Sequence, residues 1–155
     1  MPGSFDDFKL RYEDAVPAYP AGKYEKLVAD QVDWATMLTE TAKDAPYNFI
    51  RYWSGDFSAL MRLSGASSRC VEYLMGNHTI AQRMFIHHPA VMVYAPLRTA
   101  IYEQRDGSAR FTIEQPSTQF GSFNNPAITE VGRELDNKVA LLLEHLGAAV
   151  PPALR

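Results

Sequence analysis

An α+β domain built on a largely antiparallel sheet is what this sequence predicts, and three observations carry the prediction. The C-terminal part holds an unbroken apolar stripe at helical spacing, with a start signal and a terminating glycine in place. The middle of the chain alternates side chains with the period of two that a strand requires. Turn residues, Ser54-Gly55-Asp56 and Asp106-Gly107, join strand-like runs into hairpins, whose strands pair antiparallel.

The 155 residues suit one domain, read here as residues 1–155. Hydrophobic residues make up 46% and charged residues 21%, an ordinary globular mixture. Fifteen basic against eighteen acidic side chains leave a charge of −3, which argues against a nucleic-acid backbone as partner. Arg51, Arg62, Arg69, Arg83 and Arg98 lie in the middle third, a scatter that reads as solvated surface. Cys70 is the single cysteine, so no internal disulfide forms, and the polar, acidic start resembles no targeting segment. Apolar runs such as residues 90–97 fall far short of the ~20 residues of a membrane helix. The expectation is a soluble, cytoplasmic protein with neither membrane nor nucleic acid as partner.

Residues 1–22 read as a loop or edge segment, with Pro17, Pro20 and Gly22 leading into a first helix over residues 23–43. In that helix Leu27, Val28, Trp34, Ala35 and Leu38 recur at helical spacing, Lys43 suits the C-terminal dipole, and Pro46 prevents continuation. Residues 47–53 and 57–64 alternate and pair as a hairpin, and residues 69–75 form a third strand. Cys70, Glu72 and Leu74 share one face of it, Val71, Tyr73 and Met75 the other.

Asn77 or Thr79 caps a short helix over residues 79–86, which Pro89 closes. Residues 90–104 are strand-like, but Pro96 marks an edge, bulge or bend. Residues 110–115 return from the Asp106-Gly107 turn, and residues 116–124 read as a loop able to cover a site. Asn125 then caps the last helix, Pro126 takes its first position, and Ile128, Val131, Leu135, Val139, Leu142 and Leu146 form its apolar stripe up to Gly147. Residues 148–155 form a tail. The expected architecture has about five to six strands with two main helices on one face.

Three runs carry a family resemblance: Glu72-Tyr-Leu-Met-Gly-Asn77; Tyr94-Ala-Pro-Leu-Arg98 followed by Tyr102; and Phe111-Thr-Ile-Glu-Gln-Pro116. With Leu135-Asp136 and the Leu-rich close of the last helix, residues 71–147 resemble the bacterial domain-of-unknown-function 302 family. The resemblance implies a TBP-like α+β fold, a homodimer, and a shared neighbourhood around Glu72, Asn77, Pro96 and Arg98. It implies no particular reaction.

Glu72, Asn77, His78 and Arg98 are the polar residues from which a pocket is expected. Free N–H groups at a helix start attract anions, and Arg98 can grip a carboxylate with both arms of its guanidinium. The plainer alternative pairs Glu72 with Arg98 across the sheet and leaves Asn77 as a cap. His87 and His88 point about 100° apart on a helix, so neither they nor His78 suggest a metal site. Cys70 reads as a small buried apolar residue, and no glycine loop or nucleophile elbow is present. The aromatic residues suit a core or an apolar cavity for a flat ligand such as a haem or an aromatic metabolite, without any axial-ligand motif for haem.

The leading expectation is therefore a small-molecule binding protein. Its pocket lies between sheet and helices near Asn77 and Pro96. Asn77, His78 and Arg98 hold a polar group there, and Tyr94 and Tyr102 meet the apolar part. The alternatives are an enzyme using Glu72 as general acid or base, with His78 or His87 assisting, and a homodimeric interaction module. The sequence names neither ligand nor cofactor.

Overall fold

The structure is a computed structural model and describes residues 3–155, so Met1 and Pro2 of the expected domain and of its opening segment lie outside it. Helices α1 (Phe5–Ala15), α2 (Ala21–Ala29) and α3 (Trp34–Asp44) precede strand β1 (Ile50–Asp56) and helix α4 (Ser58–Arg62). Strand β2 (Cys70–Gly76), helix α5 (His78–Phe85), a 3-10 turn (Pro89–Val93) and strands β3 (Leu97–Glu103) and β4 (Ala109–Ile113) follow. Helices α6 (Pro116–Gly121) and α7 (Pro126–His145) and a closing 3-10 turn (Pro152–Leu154) complete the chain. The strands make one antiparallel sheet in the order β1-β2-β3-β4.

Period two sends Val71, Tyr73 and Met75 of β2 and Leu97, Thr99 and Ile101 of β3 to the inward face, where all are buried. Helix α7 covers that face with Ile128, Val131, Leu135, Val139, Leu142 and Leu143. Asn125 caps it by accepting from the N–H groups of Ala127 and Ile128, and Pro126 stands at its first position, as the sequence predicts. Full burial of each such side chain contributes roughly 1.5–3 kcal/mol, more than any surface contact of the helix.

Helix α1 replaces the loop expected before residue 23. Ser4 caps it by accepting from the Asp7 N–H, and Phe5, Phe8, Tyr12 and Ala15 fall on one buried stripe against the sheet. The helix expected over residues 23–43 is two helices, because Gln31 adopts a left-handed backbone (φ 50°) and Asp33 starts a new helix by accepting from Thr36 N–H.

The strand expected over residues 57–64 is helix α4, so the sheet has four strands rather than five or six. Phe57, Leu60 and Met61 of the same stretch also fall at the i, i+3, i+4 spacing of a helix, and a tertiary contact decides. Buried Ser58 accepts from the Cys70 N–H through Oγ (3.0 Å), which holds the segment at the end of β2. Ser58 N–H is itself held by the Asp56 carboxylate (2.9 Å).

The loop expected over residues 116–124 contains α6, packed on α7 where Gly132 leaves room. A side chain at Gly132 would approach Ser117 Cα within 3.1 Å. Asp136 of α7 accepts from Ser117 N–H (2.8 Å) and from the Gln115 amide (2.9 Å), so one buried carboxylate organises the start of α6. The tail ends with Leu154 buried in the core.

Both sheet edges are occupied in part. The segment after α1 meets β1 through Arg51 N–H to Pro17 C=O (2.8 Å) and Tyr19 N–H to Arg51 C=O (2.9 Å). At the other end Phe5 N–H reaches Gly107 C=O (3.2 Å) in the β3–β4 turn.

Asp136→Ala leaves Ser117 N–H without its acceptor and should lower stability by about 1–3 kcal/mol. A shifted urea midpoint with unchanged slope is the expected reading; an unchanged midpoint refutes the role given to Asp136.

Candidate functional site

The two sequence breaks, Asn77 and Pro96, come together. Gly76 ends β2 so close to Pro96 that an added Cβ would sit 3.3 Å from the Pro96 ring and backbone. Beside this contact opens a cleft of about 180 Å³. Its walls are Gly76, Asn77 and His78 at the β2–α5 junction, Ile80, Ala81 and Met84 on α5, and Met92, Ala95, Pro96 and Leu97 along the path into β3. Tyr52, Phe120 of α6 and Leu135 of α7 close it.

Asn77 is the cap of α5. Its Oδ1 accepts from Thr79 N–H (3.0 Å) and Thr79 Oγ1 (2.6 Å), while Nδ2 donates to Asn48 C=O (3.0 Å). The left-handed backbone of Asn48 (φ 72°) turns that carbonyl toward α5, and its own side chain accepts from Lys138 Nζ (3.1 Å).

His78 is held on both ring nitrogens. Nε2 lies 2.7 Å from Thr41 Oγ1 and Nδ1 lies 2.7 Å from the Tyr52 hydroxyl. Thr41 already gives its proton to Met37 C=O (2.8 Å), so it accepts from His78 Nε2–H. Nδ1 then accepts from Tyr52, whose oxygen accepts in turn from the His78 backbone N–H (3.0 Å). This assignment gives every proton a place and sets a neutral imidazole with its hydrogen on Nε2.

Burial lowers the His78 pKa, against the pull of Asp44. Around the ring stand Tyr24 (centroids 4.7 Å apart, edge-on) and Tyr19 (6.4 Å). Tyr24 donates to Asp44 (2.7 Å), and burial together with that carboxylate pushes its phenol up to about 12. Burial also raises the Tyr52 phenol. Lys23 closes the polar cluster on Asp44 (2.8 Å) and Glu40 (3.0 Å).

Of the expected site residues, Asn77 and His78 line this cleft. Arg98 and Glu72 do not: both point from the outward sheet face into a broad groove shared with Phe57, Met61, Cys70 and Glu114. Arg98 faces Glu114 (3.8 Å), not Glu72, which stands opposite Ala100. Tyr94 packs edge-on against Phe120 and Phe123 and borders a separate depression that also holds Arg98.

Tyr102 sits at the far end of β3 opposite Cys70, which is exposed rather than buried because its strand position faces outward. Partial burial, Asp56 and Glu72 all raise the Cys70 thiol pKa. His87 is exposed, and His88 accepts from Ala90 N–H (3.1 Å) to cap the 3-10 turn. Among the described residues no group of three His, Cys, Asp or Glu side chains is placed to hold a metal ion, and no helix is long and apolar enough to cross a membrane. Tyr52, one of the aromatic residues expected in a core or an apolar cavity, lines the cleft, while Thr41 and Tyr24 are residues around His78 that sequence reasoning missed, since nothing local ties them to it.

Fold and cleft together define an α+β protein with a four-stranded antiparallel sheet and a small apolar cavity where β2 and β3 meet α5. The family model described as "Domain of unknown function DUF302" matches residues 28–146, and the chain belongs to that family. The crystal structure of the uncharacterized conserved protein DUF302 from Bacillus stearothermophilus is similar in fold, with a TM-score of 0.59 at 20% identity, over 68% of this chain and 82% of that one. No curated protein matches the chain.

Because the folded His78 has a pKa below its unfolded value of about 6.5, its contribution is complete above that pH and is lost as pH falls through the folded value. Urea midpoints of the wild type should fall below about pH 6.5 more steeply than those of His78→Gln. Parallel curves would show that His78 does not titrate in this way.

Proposed function

We propose that the protein binds a small molecule in the cleft between α5 and the ends of β2 and β3. The supporting observation is a cavity of about 180 Å³ at the junction where a strand end, a helix start and the Pro96 turn converge. Ligands are commonly held at such junctions, in concave and mostly apolar sites with a few polar groups. Here the polar border is Tyr52, Asn77 and His78. The volume suits one ring and is far below that of a tetrapyrrole.

Glu72 catalysis has less support, because the carboxylate stands on the opposite face of the sheet from the buried residues of β2 and outside the cleft. A homodimer with a TBP-like arrangement, as the family resemblance implies, remains part of the reading. Helix α4 supports it: Leu60, Met61 and Leu63 are exposed, Leu63 to 86%, beside Trp53 and Phe57.

A thermal-shift screen of small metabolites tests the binding reading. Met92 is 49% exposed on the cleft wall, so Met92→Trp should plug the cavity and abolish the shift of any true ligand, while Arg98→Ala keeps it. Shifts that survive the plug, or none at all, refute binding at this place. For the assembly, sedimentation should give twice the chain mass for the wild type and the chain mass for a Leu60→Glu, Leu63→Glu variant. A monomeric wild type would remove the dimer.

A further inference from the structure

Every polar side chain on the cleft wall is engaged elsewhere. Asn77 Oδ1 accepts two hydrogen bonds from Thr79, and its amide nitrogen donates to Asn48. Both His78 ring nitrogens are partnered by Thr41 and Tyr52. The Tyr52 hydroxyl both donates and accepts at His78. Among the described residues no buried side-chain nitrogen or oxygen lacks a partner. The lining includes no Asp, Glu, Lys or Arg, and Arg98, the chain neighbour of the lining residue Leu97, opens onto other surfaces.

A ligand therefore meets apolar atoms and groups whose main bonds are already committed. A hydroxyl or amide carried into such a place gives up its water for little in return, at about 1–3 kcal/mol per group, and an unpaired charge costs far more. Apolar surface loses nothing by the same transfer and gains about 25 cal/mol per Å². Size adds a second limit: an apolar cavity of about 150 Å³ holds one benzene. At about 180 Å³ this cleft exceeds that by roughly a methyl group or two. The thioethers of Met84 and Met92 give the walls some freedom to adapt to shape.

Resting on the binding reading above, we propose that the ligand is a neutral, predominantly apolar molecule of single-ring size. A substituted benzene or a compact aliphatic of similar volume fits, and carboxylates, phosphates and amines do not. Recognition is by shape and by burial, and the polar border serves to hold the wall rather than to hold the ligand. This departs from an Arg98-gripped anion, which the cleft has no means of binding.

The test compares fluorobenzene with 4-fluorobenzoate by ¹⁹F NMR titration against the full chain at pH 7.5. Fluorobenzene should show saturable shift or broadening, and 4-fluorobenzoate should bind at least tenfold more weakly. Met92→Trp and Ala81→Phe, each checked by circular dichroism, should remove the fluorobenzene response.

Equal or tighter binding of 4-fluorobenzoate overturns the ligand class while leaving a binding cleft in place. Absence of binding by either probe overturns the ligand class and, if the metabolite screen is also blank, the binding reading with it. Fluorobenzene binding that both plugs leave intact places the site elsewhere and overturns the proposal. Should one plug variant fail to fold, the other and the wild-type ratio still decide.

Discussion

Tyr73, Met75, Leu97 and Ile101 present an apolar sheet face that must be kept from water, and most of the architecture follows from how it is covered. Helices α7 and α1 both cover it, with Ile80 and Met84 of α5 and Phe120 of α6 adding to the same core, so both ends of the chain are bound to its middle. The tyrosines buried in this core carry their hydroxyls to partners, Tyr73 to Glu13 (2.9 Å) and Tyr12 to Thr99 (3.5 Å). Arg69 fastens the N-terminal helix further, bridging Asp6 and Glu103 and lying over the Phe5 ring. On the outward face Phe57 and Met61 border a groove with Glu72 and Arg98, and that face keeps the character of a surface.

The cleft is a by-product of that covering made permanent by hydrogen bonds. Helix α5 has to leave the end of β2 directly, since Asn77 is both the residue after the strand and the cap of the helix. Pro96 closes against Gly76 on one side, and α6 and α7 contribute Phe120 and Leu135 on the other. Collapse of the space is opposed by His78, which ties α5 to α3 through Thr41 and to β1 through Tyr52. A neutral imidazole suits this position better than a charged one, because burial penalises the charge.

Much of this was legible where the determinants are local. Helix α7 carries cap, proline and apolar stripe in one stretch of sequence, and strands β2 and β4 alternate as read, whereas the run expected as a strand over residues 90–104 opens with the 3-10 turn Pro89–Val93 and becomes β3 only from Leu97. Helix α1 was equally visible in Ser4, Phe5, Phe8, Tyr12 and Ala15, but the loop reading rested on Pro17, Pro20 and Gly22, which lie beyond the end of that helix. The segment of α4 could not be decided locally, since the hydroxyl that places it bonds to a backbone twelve residues away.

The neighbourhood of the cleft was readable from the breaks at Asn77 and Pro96. The exclusion of Arg98 was also readable, because one step from inward-facing Leu97 reverses the direction of the side chain. Thr41 and Tyr52 were not readable, lying 37 and 26 residues from the histidine they hold.

Tyr52 occupies an irregularity in β1: Arg51 pairs with Met75 and Trp53 with Leu74, leaving the tyrosine as the extra residue of a bulge. Removing one residue there would restore even pairing and, by the same stroke, turn the phenol away from the imidazole. The count of residues along this edge is thus as much a part of the cleft as any side chain lining it. A first strand with perfectly regular pairing would have to brace the histidine by some other means, or do without the cleft.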